Sequence, residues 1–273
     1  MSASPPRRAK FPVRLDRFAG QASAAPRPDL LRPQRPLASA HADAARTLLP
    51  SGIGLDSAGV RARMADRLRA AGITHPKVLE AMAAVPRHVF VDAALVTQAY
   101  EDTSLPIGHG QTISKPSVVA RMIELLLGGV GARRQGSLGK VLEIGTGCGY
   151  QAALLARLGR HVVSIERLGA LHEKARERLA PVRADNLRLV YGDGTLGHAP
   201  NAPYDSIVAA AGGTELPQAW FDQLAIGGRL VSPVQEPGGT RQVLAVVDRT
   251  ESGYDRSTCE VVQFVPLKSG RVR

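Results

Sequence analysis

The spacing of apolar residues changes along the chain, and its first part predicts helices. Apolar residues recur at helical spacing at four early positions: Val60, Met64, Leu68 and Ala71. Gly72 is expected to end this helix, and further helices are predicted over 75–86 and 117–127. The stretch 87–116 between these two is irregular and rich in turn residues, which is typical of a functional loop.

Beyond residue 139, short apolar runs alternate with helical patterns. The predicted strands are 141–144, 161–166, 187–191, 204–209 and 228–234. The predicted helices are 150–158, 168–179 and 216–224. This alternation favours a doubly wound α/β fold, a mostly parallel sheet with helices on both faces. Two final β-rich runs, 242–248 and 260–266, have no helix between them and predict a terminal antiparallel strand pair.

Composition sets the first 55 residues apart from the rest. Pro, Ala, Arg and Ser dominate residues 1–55, and the prolines prevent a long helix, so we expect a disordered extension. Residues 56–273 are predicted to form one domain. Within it, a helical and loop-rich subregion (56–139), ending in a linker over 128–139, precedes the α/β core (140–273).

The charge balance raises the question of an acidic partner. The net charge is +11 and the isoelectric point is near 10.3, values typical of nucleic-acid-binding proteins. Only 4% of the residues are aromatic, however, and many arginines are dispersed along predicted helices beside glutamates. Since base stacking needs aromatic side chains, this composition favours solvated helix faces, and no specific nucleic-acid partner is predicted.

Cysteine and hydropathy patterns exclude other classes of protein. The two cysteines, Cys148 and Cys259, cannot make a disulfide framework, and the histidines lack the paired spacing of metal ligands. No apolar run approaches the roughly 20 residues that a membrane-spanning helix needs. We therefore expect a metal-free cytoplasmic protein without a membrane partner.

The first strand of the core runs into a glycine-rich turn and then into a helix. The turn and the first helical residue comprise Gly145, Gly147, Gly149 and Tyr150. Glycines let a ligand lie against the bare main chain at a helix N-terminus. The next strand ends at Glu166, about twenty residues on, where a carboxylate can accept both hydroxyls of a ribose.

Two classes of ligand share this geometry, and the charges separate them. The glycines are spaced one residue more tightly than in the dinucleotide pattern G-x-G-x-x-G. Glu143, two residues before the turn, would repel a pyrophosphate but suits a ligand that carries an ammonium and a sulfonium. Asp193, after the third strand, is placed to accept from an adenine amino group. S-adenosylmethionine therefore fits better than NAD; a purely structural turn with a capping acid is the alternative.

Five segments of the chain resemble protein-L-isoaspartate O-methyltransferases in order and spacing. They are DTSLPIGHGQTISKP (102–116), VLEIGTGCGY (141–150), SIER (164–167), GDGT (192–195) and FVPL (264–267). The LPIGxGQTIS pattern is highly specific, whereas many S-adenosylmethionine enzymes share the glycine turn. The resemblance spans about 59–267 and does not include the extension before Leu55.

The resemblance implies methyl transfer to the free α-carboxylate of isoaspartyl residues in damaged proteins and peptides. S-adenosyl-L-homocysteine would be the second product, and the methyl ester would close to a succinimide whose hydrolysis returns some normal aspartate. A carboxyl group with a pKa near 3.5 is ionised at about pH 7, so no strong general base is needed. Catalysis is then expected to come from orientation and from exclusion of water.

The resemblance also implies a set of site residues. Ser114 would be catalytic, orienting the substrate carboxylate; without the resemblance, it is expected to cap the following helix, and both roles can coexist. The implied cofactor residues are Thr112, Ile113, Glu143, Gly145, Gly147, Gly149, Tyr150, Glu166, Asp193 and Gly194. The implied substrate residues are Pro106, Ile107, Gly110, Gln111 and Gln242. No metal ligand is implied.

Two alternatives to this function are open at the level of sequence. The basic charge and the glycine turn also fit an RNA methyltransferase, although residues 209–213 (AAAGG) lack the Asn/Asp-Pro-Pro-aromatic pattern expected for nucleobase methylation. A non-catalytic S-adenosylmethionine-binding protein is the other alternative. The expected oligomeric state is a monomer.

Overall fold

The computed structural model describes residues 58–182, 184–236 and 238–272, so the predicted extension over 1–55 lies outside the described residues. The helices are α1 (Ala58–Ala70), α2 (Pro76–Ala84), α3 (Pro116–Leu127), α4 (Val130–Gln135), α5 (Tyr150–Leu158), α6 (Gly169–Leu179) and α7 (Gln218–Gln223). The strands are β1 (Leu105–Gly108), β2 (Gln111–Ile113), β3 (Lys140–Ile144), β4 (His161–Glu166), β5 (Leu187–Tyr191), β6 (Tyr204–Ala209), β7 (Leu224–Gln235), β8 (Gln242–Arg249) and β9 (Tyr254–Val262).

Seven strands form one sheet in the order β5-β4-β3-β6-β7-β8-β9. The pairs among β5, β4, β3, β6 and β7 are parallel, whereas β8 pairs antiparallel with both β7 and β9. The predicted fold class, a mostly parallel doubly wound sheet with a terminal antiparallel pair, is confirmed. Strand order reverses at β3, which lies between β4 and β6, and ligands of such sheets bind beyond the carboxyl ends of the strands at this point.

The two faces of the sheet bury separate apolar clusters. On one face, Val141 of β3 packs in a large cluster with Leu154 of α5 and Leu171 of α6. On the other face, Leu142 packs in a smaller cluster that contains Trp220 of α7. Alternate residues of β3 therefore face opposite sides of the sheet, as strand geometry requires.

The irregular segment before α3 is ordered. It contains two 3₁₀ helices, Arg87–Phe90 and Ala93–Gln98, followed by the antiparallel hairpin of β1 and β2. The turn of the hairpin includes His109, the one non-glycine residue with a positive φ (54°) among the described residues. The irregular stretch 87–116 thus consists mainly of two 3₁₀ helices and a hairpin.

Element boundaries differ from the predictions in three places. β9 covers Tyr254–Val262, whereas the predicted strand was 260–266. The first residues of β9 are exposed and mostly polar, so they do not form the apolar run on which the prediction was based. The run that follows makes single hydrogen bonds to the segment after β6, as from the N–H of Leu267 to the carbonyl of Gly212. The predicted linker contains helix α4. Helix α7 covers Gln218–Gln223, whereas 216–224 was predicted, and β7 begins at Leu224, four residues before the predicted start at 228.

Candidate active site

A cavity of about 390 Å³ lies at the carboxyl ends of β3 and β4. The hairpin, the glycine turn, the end of β4 and the C-terminal segment all contribute to its wall. Ten predicted site residues line it: Ile107, Gln111, Thr112, Ile113, Ser114, Gly145, Gly147, Tyr150, Glu166 and Gly194. These ten predicted residues span 87 positions of the sequence, from Ile107 to Gly194, and meet in one place.

Glu166 organises the glycine turn from the end of β4. One carboxylate oxygen, Oε2, accepts a hydrogen bond from the N–H of Gly147 at 2.9 Å, and Oε1 accepts from the N–H of Leu168 at 2.9 Å. The side chain is almost fully buried yet lines the cavity. Because each carboxylate oxygen has two acceptor positions, Glu166 keeps acceptor capacity for a ligand hydroxyl.

Gly149 has a packing role in the same turn. It lies outside the cavity wall and has φ +94°, and a Cβ atom there would come within 2.8 Å of Cδ1 of Leu179 in α6. A larger residue would therefore overlap Leu179 and disturb the packing of α5 against α6. The expected contact of Gly149 with the cofactor stays a prediction.

Glu143 lies behind the glycine turn and does not line the cavity. Its side chain is fully buried, and Oε2 accepts a hydrogen bond from the hydroxyl of Ser164, which in turn lies 2.6 Å from the hydroxyl of Thr146. Burial raises the pKa of Glu143 to about 8, so the side chain is largely protonated at neutral pH. The structure shows this side chain inside the protein with Ser164 as its partner, and its expected contact with a ligand ammonium stays a prediction.

Asp193 is also occupied by backbone groups. Its Oδ1 accepts from the N–H of Thr195 at 2.9 Å, and Oδ2 accepts from the N–H of Gly270 at 2.6 Å. Burial raises the pKa of Asp193, but these hydrogen bonds outweigh burial and hold the pKa below its usual value. The side chain does not line the cavity, whereas its neighbour Gly194 does. The carbonyl of Gly194 accepts a hydrogen bond from the indole N–H of Trp220 at 2.8 Å.

Ser114 lies at the exit of the hairpin. Among the described residues, no hydrogen bond involves its hydroxyl, and the residue at the N-cap of α3 is Lys115, without a side-chain capping bond. The predicted capping role of Ser114 is therefore wrong. At the N-terminus of α3, Asp102 instead accepts hydrogen bonds from both the N–H and the hydroxyl of Ser117, each at 2.8 Å. The hydroxyl of Ser114 remains available to a ligand.

A second cavity, of about 910 Å³, adjoins the first. Three residues line both cavities: Thr112, Ser114 and Val265. Gln242 lies in the wall of the second cavity, where its side-chain oxygen accepts a hydrogen bond from the N–H of Phe264 at 2.7 Å. Pro106 and Gly110 belong to the hairpin but line neither of these two cavities. Ser114 thus lies at the junction of two adjoining cavities.

Several wall residues escaped the sequence analysis. The first cavity also includes Ala210 and Ala211 after β6, and Lys268 and Val272 near the C-terminus. The two alanines follow the carboxyl end of a strand, where ligands of parallel sheets bind. Their position in the sequence could therefore have predicted that they line the site. The C-terminal residues carry no local pattern and reach the site only through tertiary structure.

The described residues contain neither a candidate membrane span nor a candidate metal site. No helix there combines the length and the apolar character needed to cross a membrane. Within the same residues, no group of three or more His, Cys, Asp or Glu side chains is arranged to hold a metal ion.

Comparison with known proteins agrees with this geometry. The family model "Protein-L-isoaspartate(D-aspartate) O-methyltransferase" matches residues 60–272. The protein-L-isoaspartate O-methyltransferase of Methylibium petroleiphilum is 60% identical over 273 residues, which is 99% of either chain. The protein of the same name from Leptothrix cholodnii is 57% identical and covers 98% of this chain and 96% of its own.

Solved structures share the fold. A protein-L-isoaspartate O-methyltransferase with 28% identity aligns with a TM-score of 0.68, covering 77% of this chain and 66% of that chain. A Plasmodium falciparum protein in complex with S-adenosyl-L-homocysteine is 24% identical and aligns with a TM-score of 0.64, covering 76% and 98% of the two chains. The family match confirms the resemblance, the enzyme class and the S-adenosylmethionine cofactor. This chain therefore belongs to the protein-L-isoaspartate(D-aspartate) O-methyltransferase family.

Proposed function

We propose that this chain transfers a methyl group from S-adenosylmethionine to the free α-carboxylate of L-isoaspartyl residues in damaged proteins and peptides. S-adenosyl-L-homocysteine leaves as the second product, and the ester closes to a succinimide that begins repair. The observation that carries the proposal is the position of Ser114 at the junction of two adjoining cavities, one of which contains the glycine turn and Glu166.

The first cavity is our proposed cofactor site. When bound, S-adenosylmethionine supplies a methyl group on a positively charged sulfur. Glu166 is placed to accept hydroxyl groups of the ribose, as its remaining acceptor capacity allows. The other proposed contacts are Thr112, Ile113, Gly145, Gly147, Tyr150 and Gly194. Glu143, Gly149 and Asp193 support these residues from behind, through the contacts described above.

The second cavity is our proposed path for the substrate peptide. The Ser114 hydroxyl would hold the isoaspartyl carboxylate at the junction of the cavities, with Ile107 and Gln111 of the hairpin beside it. Gln242 would contact the peptide main chain from the opposite wall, and Pro106 and Gly110 would fix the shape of the hairpin.

The proposed methyl transfer depends on the orientation of the two reacting groups more than on a general base. A substrate carboxylate is already ionised at neutral pH, so no proton has to be removed before the methyl group moves. Holding the two reacting groups in line can contribute about 7–11 kcal/mol to lowering the barrier. The hairpin and Glu166 supply this orientation in our proposal, each through a contact that the fold fixes.

The remaining features of the enzyme follow the same proposal. We propose that it acts in the cytoplasm as a monomer, without a specific nucleic-acid partner. We also propose that subregion 56–139 and core 140–273 act as one domain, because the hairpin of the former lines a cavity with the glycine turn of the latter.

The test is transfer of labelled methyl to two peptides that differ only in isoaspartate or aspartate at one position. We expect base-labile label on the isoaspartyl peptide alone, and its loss in Ser114→Ala and Glu166→Ala. Label on neither peptide, despite binding of S-adenosyl-L-homocysteine, would refute the proposal and favour a non-catalytic protein. Label on RNA instead would favour the RNA methyltransferase.

A further inference from the structure

Arg87, the first residue of a 3₁₀ helix, is completely buried beside the active site. Its Nη2 donates a hydrogen bond to the carbonyl of Ser114 at 2.7 Å, and its Nε donates to the carbonyl of Ala99 at 2.8 Å. The guanidinium carbon lies 4.8 Å from the ring centre of Tyr150. One side chain therefore contacts the hairpin exit, the segment before the hairpin and the start of α5.

No carboxylate pairs with this buried cation among the described residues. In the described part of the chain, the one carboxylate with an electrostatic effect on Arg87 is that of Asp102, and its two oxygens already accept hydrogen bonds from Ser117. Burying a cation without a counter-ion opposes folding unless hydrogen bonds compensate. Backbone carbonyls accept from Nε and Nη2 and the ring of Tyr150 lies beside the guanidinium, whereas Nη1 has no hydrogen-bond partner among the described residues. These partners belong to the segments that carry the site.

The contact with Ser114 is the one closest to the proposed chemistry. Arg87 does not line either active-site cavity, so it does not touch a ligand itself. It holds the backbone of Ser114 at a fixed distance from Tyr150, which lines the proposed cofactor cavity. A planar guanidinium makes these contacts together, whereas an ammonium group lacks the fixed fork of donors.

We propose that Arg87 is a positioning residue that holds Ser114 in register with the cofactor site. This inference rests on the proposed methyl transfer. Without the Arg87 contact, the Ser114 hydroxyl would sample positions from which it does not orient the substrate carboxylate. The loss would appear in turnover of the bound substrate.

The test is a double-mutant cycle of Arg87→Lys and Ser114→Ala, measured as kcat and KM for an isoaspartyl peptide. We expect Arg87→Lys to lower kcat by about ten-fold or more, the loss expected for a hydrogen bond to a charged group. The double variant should be within about two-fold of Ser114→Ala alone, since the two residues act through one contact. The dissociation constant for S-adenosyl-L-homocysteine should stay within about two-fold of that of the unmodified enzyme.

The matched control is Arg67→Lys. Arg67 also donates to a backbone carbonyl of the same segment, that of Tyr100 at 2.6 Å, but does not reach Ser114. Arg67→Lys should change kcat little, and the fold-change in kcat of Arg67→Lys with Ser114→Ala should equal the product of the two single fold-changes. Multiplying effects of Arg87→Lys and Ser114→Ala, or loss of S-adenosyl-L-homocysteine binding in Arg87→Lys, would overturn the inference in favour of a role in folding. Failure of the unmodified enzyme to methylate the peptide would instead overturn the proposed function, and this inference with it.

Discussion

Two glutamates at the carboxyl half of neighbouring strands have opposite environments. Glu166 at the end of β4 accepts two backbone hydrogen bonds and lines the cavity. Glu143 in β3 does not line the cavity, and its Oε2 accepts a hydrogen bond from the hydroxyl of Ser164. The same side-chain type thus has two roles, one toward the ligand and one toward the protein interior.

Glu143→Gln tests the protonation of the buried side chain. The pKa of Glu143 is about 8 in the folded protein against an ordinary 4.5, so the unfolded chain loses this proton first as pH rises. The free energy of unfolding should therefore fall between about pH 4.5 and about pH 8 and change no further above that range. Glutamine does not titrate and still accepts from Ser164, so the variant should lack this decline.

The measurement is thermal unfolding of both proteins across this pH range. We expect similar midpoints near the acid end and a midpoint for Glu143→Gln that exceeds the unmodified protein's at about pH 8. Parallel curves for the two proteins would show that Glu143 is ionised in the folded state.

Glu166→Gln tests the proposed ribose contact. The amide keeps one acceptor oxygen but turns the other position into a donor, so one backbone N–H and one ligand hydroxyl lose their partner. We expect the dissociation constant for S-adenosyl-L-homocysteine to rise by about ten-fold or more, measured by calorimetry. Glu173→Gln, which changes an exposed glutamate on α6, is the matched control and should leave binding unchanged. Equal dissociation constants in all three proteins would contradict the proposed contact between Glu166 and the ribose.

At the scale of elements, the glycine turn connects β3 to α5, and its last glycine lies against α6. A substitution of this glycine would change both the packing of the helices and the strain of the backbone, and a comparison of two glycines separates these effects. Gly149 and Gly72 have similar positive φ values, +94° and +99°, but only Gly149 has a side chain, Leu179, within reach of an added Cβ. Gly72→Ala therefore reports the conformation alone.

We expect Gly72→Ala to lower the free energy of unfolding by about 1–2 kcal/mol. Gly149→Ala should lower it by a further amount of about 1–3 kcal/mol because the added methyl group overlaps Leu179. Chemical denaturation of both variants measures the difference, and Leu179→Ala combined with Gly149→Ala should recover part of it. Equal losses in the two glycine variants would contradict the packing role.

The sequence predicts those elements whose burial follows a simple period. Strands β3, β4 and β6 are largely buried on both faces and appear as apolar runs, so their prediction succeeded. The prediction of β9 failed because residues 254–261 are exposed and mostly polar, so the strand was placed on the β-rich run 260–266 instead. Helix α4 failed because Gly129 and Gly131 suggested a linker, although Gly129 lies directly before the helix.

The candidate site shows the same division. The glycine turn and Glu166 could be predicted because each lies at a strand end, where position in the sequence determines position in the fold. The inward direction of Glu143, the contacts of Asp193 with Gly270 and the burial of Arg87 depend on tertiary structure, and no local pattern carries that information.

At the scale of the whole molecule, ligand binding and unfolding should be linked. S-adenosyl-L-homocysteine at about 100 times its dissociation constant should add about 2.7 kcal/mol to the free energy of unfolding if it binds the folded state alone. We expect the thermal midpoint to rise with ligand concentration. Adenosine diphosphate, which carries the pyrophosphate that the sequence argument excludes, is the control and should leave the midpoint in place. Equal shifts with both compounds would contradict the assignment of the cavity.

Trp220 is the chain's single tryptophan, and its indole N–H donates to the carbonyl of Gly194 in the cavity wall. Its fluorescence therefore comes from one known place, free of overlapping emission from other indoles. Any ligand that moves the backbone at Gly194 alters the electric field at this chromophore, while unfolding exposes it to water. The protein thus contains its own optical reporter, which can follow cofactor exchange in real time without a label.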